Sequence, residues 1–166
     1  MTKVRLILSI FPLMLIQLSC FKSEEYPNEP IISEPNFVEM TDSAIVSFNF
    51  TDGDGDIGLN DEELQSPYDS SSYYHYNLYL DYYEKDDVNG WQRGKDLAGE
   101  DISFTYRIER IKVKGKQKGI KGKMEVTLNT YRNPFSSQND TIKFAIKLID
   151  RALNESNIIE TQEITF

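Results

Sequence analysis

The sequence predicts an all-β chain, an antiparallel two-sheet sandwich of about seven strands. Three observations carry that expectation. Apolar residues recur with period two in segment after segment, the spacing that lines alternate side chains along one face of a strand. Ten tyrosines and nine phenylalanines suit half-buried pleated surfaces better than helices. No segment carries a persuasive 3.6-residue apolar period, and turn signals separate the alternating runs.

The elements follow in order. Pro27, Pro30 and Pro35 stand among polar neighbours in 21–36, which reads as a tether entering a first edge strand, where a missing N–H is tolerated. Ile45, Phe48 and Phe50 mark a strand at about 43–50. Tyr76 to Glu84 reads as another, with Leu78 and Leu80 on one face and tyrosines on the other. Asn89-Gly90 is a hairpin turn signal, since both residues tolerate positive φ, and Trp91 lies on the return strand. Ile102 to Ile108, Met124-Val126-Leu128 and Ile142-Phe144-Ile146-Leu148 alternate again, and Ile158 to Phe166 closes the chain. The polar stretch 60–75, with Ser70-Ser71-Ser72, reads as a long loop. No internal repeat is visible, which argues against solenoids and propellers.

The sole cysteine, Cys20, stands where an apolar stretch ends and an acidic one begins. Lys3 and Arg5 precede an apolar run from Leu6 to Leu18, the pattern of an export signal too short to anchor a membrane as a helix. With Ser19 ahead of the thiol, the segment resembles the signal peptide of a bacterial lipoprotein. That resemblance implies removal of residues 1–19 and acylation (palmitate among the lipids) of Cys20. Lys22-Ser23-Glu24-Glu25 also resembles the tag that follows the lipid cysteine in surface-exported lipoproteins of the Bacteroidetes. The expected organisation is a signal peptide at 1–19, a lipid-anchored flexible tether at 20–36 and a β-sandwich domain at 37–166. An ordinary secretory signal with an incidental cysteine is the other reading.

Loss of Lys3 and Arg5 with the signal takes the formal charge from −9 to −11. So acidic a chain is a poor partner for nucleic acid. With one cysteine, no internal disulfide can form. The one histidine, His75, lacks the partners for a zinc site or a nucleophilic triad of the usual kind, and reads as a surface or strand-start residue.

Thr51-Asp52-Gly53-Asp54-Gly55-Asp56-Ile57-Gly58-Leu59 is the strongest chemical signal. Three carboxylates at alternate positions repel unless something neutralises them, and the interleaved glycines let the backbone curl until they converge. Hard oxygen donors in a tight loop suit Ca²⁺, which takes six to eight oxygens at about 2.3–2.6 Å; Mg²⁺ is second choice. An EF-hand is excluded because its sixth position needs glycine and here holds Ile57. A solvated acidic turn without an ion is the alternative. The segment Asp150-Arg151-Ala152-Leu153-Asn154-Glu155-Ser156-Asn157 precedes the last expected strand, and Asp150 and Asn154 could add oxygens to an ion held by Asp52, Asp54 and Asp56. The competing possibility pairs Asp150 with Arg151 or Arg107.

The Asp-Gly alternation resembles calcium loops on β-sandwich modules of secreted bacterial proteins. The second segment resembles the corner before the last strand of bacterial immunoglobulin-like and cadherin-like domains. Residues 26–166 together resemble small uncharacterised Bacteroidetes lipoproteins. These combine a proline-rich tether with the Phe48-Asn49-Phe50-Thr51-Asp52 loop motif and the Asp150 to Ser156 corner. The resemblance implies an immunoglobulin-like sandwich (cadherin- or fibronectin III-like) and an outer-membrane location, lipid-anchored and more on the cell surface than the periplasmic face. It implies no activity.

Lys112, Lys114, Lys116, Lys118, Lys121 and Lys123 either blunt an exposed edge or offer a basic patch to an anionic partner. Tyr73, Tyr74, Tyr76, Tyr79, Tyr82, Tyr83 and Trp91 form either a sugar platform or the outer face and rim of a sheet. The function expected is non-catalytic: a lipid-anchored, calcium-stabilised module binding a protein or glycan. The alternatives are a structural accessory lipoprotein of an outer-membrane complex and a small glycan-acting enzyme.

Overall fold

The structure, a computed structural model, describes residues 25–112, 118–134, 136 and 140–166. The segment 1–19, Cys20, Lys114 and Lys116 therefore lie outside the described residues. The alternating runs become strands: β1 (Ile31–Glu39), β2 (Ala44–Asp52), β3 (Leu78–Asp86), β4 (Gly90–Arg93) and β5 (Ser103–Tyr106). After them come β6 (Ile120–Leu128), β7 (Thr141–Leu148), β8 (Ile159–Glu160) and β9 (Ile164–Thr165). The helical content of the described residues is one 3-10 turn, Tyr73–His75.

Two antiparallel sheets result, as the alternation predicts. One has the order β1-β2-β6. In the other β3 and β7 are central, β4 and β5 share the outer side of β3, and β8 and β9 share the outer side of β7. Inward-facing side chains of both sheets build one core, with Val46, Phe48, Leu128, Leu80, Phe144 and Ile146 among its buried members. Phe144 is its aromatic hub, with ring centroids of Phe37 at 5.9 Å, Tyr82 at 5.7 Å and Phe104 at 5.9 Å. Burial of each such side chain contributes about 1.5–3 kcal/mol.

Four details depart from the sequence reading. The strand β1 begins at Ile31, inside the stretch 20–36 expected as tether. Ile32 is buried there, its N–H donates to Asn157 Oδ1 and its carbonyl accepts from Asn157 Nδ2, both at 2.9 Å. Tyr82 belongs to the core rather than to an outer tyrosine face, because it shares the parity of Leu78 and Leu80 and is only 1% exposed. The β3–β4 hairpin uses positive φ at Gly90 alone (+73°), with Asp86 paired to Gly90 and Asp86 Oδ1 accepting from the N–H groups of Val88 and Asn89. The expected last strand is split into β8 and β9, since Thr161 Oγ1 takes the Phe144 N–H that a continuous ladder would use.

The lysine run divides. Lys121 and Lys123 lie exposed on β6, which pairs with β2 on one side and ends its sheet on the other. Charged side chains on such an edge keep a second chain from pairing with it. The double variant Lys121→Thr/Lys123→Val should therefore shift the protein toward dimers and larger species on size-exclusion chromatography. A variant that elutes as the parent does would remove this role.

The tyrosines of the outer face are partly covered, although Tyr73 and Tyr76 remain exposed. Tyr73 stacks on Tyr79 at 4.8 Å, and Lys147 lies over both while pairing with Glu155 at 3.1 Å. Lys143 sits 4.6 Å from the Trp91 centroid and pairs with Glu160 at 2.6 Å. The rings are thus capped by cations that already have carboxylate partners.

Candidate metal centre

The Asp52–Asp56 loop leaves β2 at the end of the sandwich where β7 also ends. Residues 56–59 are stitched into place by backbone pairing. Ile57 bridges to Asp150, and its carbonyl accepts from the Ile111 N–H at 3.0 Å. Leu59 donates to the Ile108 carbonyl at 2.9 Å, and Arg151 donates to the Asp56 carbonyl at 3.2 Å. Ile57 and Leu59 are buried, so their apolar side chains anchor an otherwise acidic segment to the core. Gly58 adopts φ +90°, and a Cβ there would lie 2.3 Å from the Glu109 carbonyl oxygen. That close approach explains the glycine.

Folding therefore brings the two acidic segments together. Ligand oxygens of Asp52, Asp56 and Asp150 lie within 4.8 Å of one another. Oxygens across a metal ion bound at about 2.3–2.6 Å are separated by at most about 5 Å, so this spacing is one that could hold a metal ion. Asp52 is fully buried and Asp150 is 2% exposed. One Asp52 oxygen accepts the Asp56 N–H at 2.8 Å. Its other oxygen, Oδ1, is buried without a hydrogen-bond partner, as are Oδ1 of Asp54 and Oδ1 of Asp56. Buried polar atoms of this kind cost about 1–3 kcal/mol each when unsatisfied, more when charged. Three such oxygens stand on one loop, from three successive aspartates.

Electrostatics point the same way. Burial first, then the charges of Asp54, Asp56 and Asp150, together push the Asp52 carboxyl up to about 6 against the backbone N–H of Asp56. Burial followed by the charges of Asp150 and Asp54 takes Asp56 to about 6, with Arg110 acting against it. Asp150 is also raised, first by burial, with Asp54 contributing and Asn154 opposing. The site thus holds crowded carboxylates that favour neutralisation, which a proton or a divalent cation would supply.

Asp54 stands outside the group of three, yet its charge is felt by every member. Asn154 meets Asp150 as a donor, with its backbone N–H 2.7 Å from Oδ1 and its Nδ2 2.8 Å from Oδ2. It holds the Asp150 carboxylate in one orientation. Neither arginine takes up Asp150 as an ion-pair partner. Arg151 pairs with Glu63 at 2.5 Å. Arg107 donates to the carbonyls of His75, Asn60 and Glu63, bracing the 60–75 loop. Sequence reading did not single out Glu63 as a partner of Arg151, nor the bracing roles of Arg107 and of Arg110, which donates to the Asp56 carbonyl at 3.4 Å. Their partners are mostly backbone carbonyls, which leave no trace in residue pattern. His75 packs locally, its Nδ1 3.1 Å from the Tyr68 carbonyl.

Comparison of the chain with protein-family models, curated proteins and solved structures returned no match.

Proposed function

We propose that this protein is a non-catalytic, immunoglobulin-like β-sandwich stabilised by Ca²⁺, held by lipid on Cys20 at the outer membrane, and acting as a binding module for a protein or glycan on the cell surface. The observation that carries the reading is the convergence of Asp52, Asp56 and Asp150, with three hydrogen-bond-free carboxylate oxygens beside them. Asp52, Asp54, Asp56 and Asp150 are the ligands, and Asn154 holds Asp150 in place or adds an oxygen of its own. All donors are hard oxygens drawn from two irregular segments, which favours Ca²⁺ over Mg²⁺ and over metals that seek nitrogen or sulfur.

The same geometry speaks against a glycosidase. Its carboxylates must flank a bond lying in an open groove. Asp52 and Asp150 are sealed from solvent and face each other. The resemblance of the N-terminal segment to lipoprotein signals supports the anchor.

Two measurements test the proposal. Mass spectrometry of the membrane fraction should find an acylated N-terminal peptide starting at Cys20, and a free thiol or an unprocessed N-terminus there would remove the anchor. A glycan array and a cross-linking experiment on intact cells should recover a partner whose binding weakens in chelator. A partner bound equally well without divalent cation would disconnect the site from binding.

A further inference from the structure

The two segments that supply the carboxylates also hold the N-terminal segment of the domain. On the loop side, the Gly53 N–H donates to the Pro27 carbonyl at 2.7 Å. A Cβ on Gly53 would lie 2.2 Å from the Tyr26 carbonyl oxygen and 2.6 Å from that of Pro27, so the docked segment leaves room for glycine alone. Gly119, just before β6, faces the Tyr26 ring, where a Cβ would stand 3.2 Å from Cδ2. On the corner side, Asn157 grips Ile32 through both its N–H and its carbonyl. Gly53 lies between Asp52 and Asp54. Asn157 follows the turn in which Asn154 and Asp150 bond each other. The stretch from Tyr26 to Pro30 is therefore fastened at one end to the Asp52–Asp56 loop and runs at the other into Ile32, which both the Asn157 side chain and the β1–β2 ladder hold.

We propose that the cation site is a clasp for residues 26–30: an ion bound between the Asp52–Asp56 loop and Asp150 secures this docked N-terminal segment, and loss of the ion releases it up to Ile31, where pairing of β1 with β2 takes over. The inference rests on the calcium reading above and adds a consequence to it. Without a cation the carboxylates repel, the loop spreads, and the Gly53 amide moves with its neighbours. With one, repulsion becomes attraction and the amide is fixed under Pro27. Linkage makes the effect reciprocal, so the docked segment tightens the ion by the same factor as the ion tightens the segment. The cation then sets how far the domain stands from whatever its N-terminus is joined to.

Limited proteolysis of the whole protein with a glutamate-specific protease tests this, with cleavage after Glu29 read by mass spectrometry. Glu100, in the exposed turn after β4, is the internal control. Saturating Ca²⁺ should slow cleavage after Glu29 at least ~10-fold, chelator should restore it, and cleavage after Glu100 should not change. Gly53→Ala, which blocks docking, should cut fast even in Ca²⁺. Asn157→Ala, which removes the grip on Ile32 and touches no carboxylate of the site, should lose most of the protection while its melting temperature still rises with Ca²⁺. Equal rates after Glu29 with and without Ca²⁺, in a protein whose melting temperature responds to the ion, would overturn the clasp and leave the ion site standing. A protein that responds to Ca²⁺ in neither measurement would overturn the site itself and the clasp with it.

Discussion

Ca²⁺ at 100 times its dissociation constant should raise the melting temperature of this protein by about 5–10 °C, and a chelator should remove the gain. A ligand that binds only the folded state at that concentration adds about 2.7 kcal/mol, and for a domain of this size each kilocalorie is worth about 2–4 °C. The site itself supplies a sharper signature than the shift alone. Asp52→Asn keeps an oxygen to accept the Asp56 N–H, removes one buried negative charge and places an amide donor among orphan carboxylate oxygens. Without calcium this variant should therefore melt above the parent. With calcium it should melt below it, because a ligand is gone. Asp54→Asn and Asp150→Asn should each reduce the calcium response, and loss in the first alone would confine the site to the Asp52–Asp56 loop. An Asp52→Asn protein that is simply less stable under both conditions would mean that the carboxylate serves the fold through its hydrogen bond, with no ion involved. Unchanged melting of the parent with calcium and chelator would leave only an acidic turn.

Much of this arrangement is legible in the chain because its causes are local. The strands β2, β3, β6 and β7 announce themselves through period-two alternation, and their registers follow once one face must be buried. The Asp-Gly alternation likewise declares a tight acidic loop, of which Asp52 and Asp56 converge with Asp150 while Asp54 stands outside the group. What cannot be read is anything decided by a distant partner. Thr161 and Ser156 break the outer edge of β7 because their hydroxyl oxygens accept the N–H groups of Phe144 and Leu148. In sequence they are two more polar residues in a polar stretch. Tyr82 was visible by parity, yet the run of tyrosines around it drew the reading to the other face. Gly53 and Gly58 look like mere loop flexibility, whereas one fits under Tyr26-Pro27 and the other against Glu109. The prolines of 21–36 suggested a free tether, and the buried Ile32 with its two bonds to Asn157 makes the latter part of it a strand.

Without calcium, the acidic cluster should make stability fall as pH rises from about 4 to about 6, the reverse of ordinary carboxylates. Burial, the first cause in both, pushes Asp52 and Asp56 up to about 6 in the folded chain, against an ordinary aspartate value of 3.8. Groups raised in this sense bind protons more tightly folded than unfolded. Their contribution is fully present below about 4 and is lost as pH climbs through 6. Asp86, held low by the N–H groups of Asn89 and Val88, and Asp101, held low by Lys95, act in the opposite direction. The whole-protein profile is therefore a balance, and the difference between the parent and Asp52→Asn isolates the cluster. That difference in melting temperature, measured in chelator, should move steadily in favour of the variant between pH 4 and 6. Calcium changes the sign of the dependence. The ion requires ionised ligands, so protons compete with it, and its affinity should drop by more than tenfold between pH 7 and pH 5. Calorimetric titrations in buffers of different ionisation enthalpy would then show proton release on binding near pH 6. Calcium binding with no proton release there, or a parent-to-variant difference that stays flat from pH 4 to 6, would mean that Asp52 and Asp56 are already ionised throughout, and would remove this pH dependence while leaving the test of the ion to the melting shift.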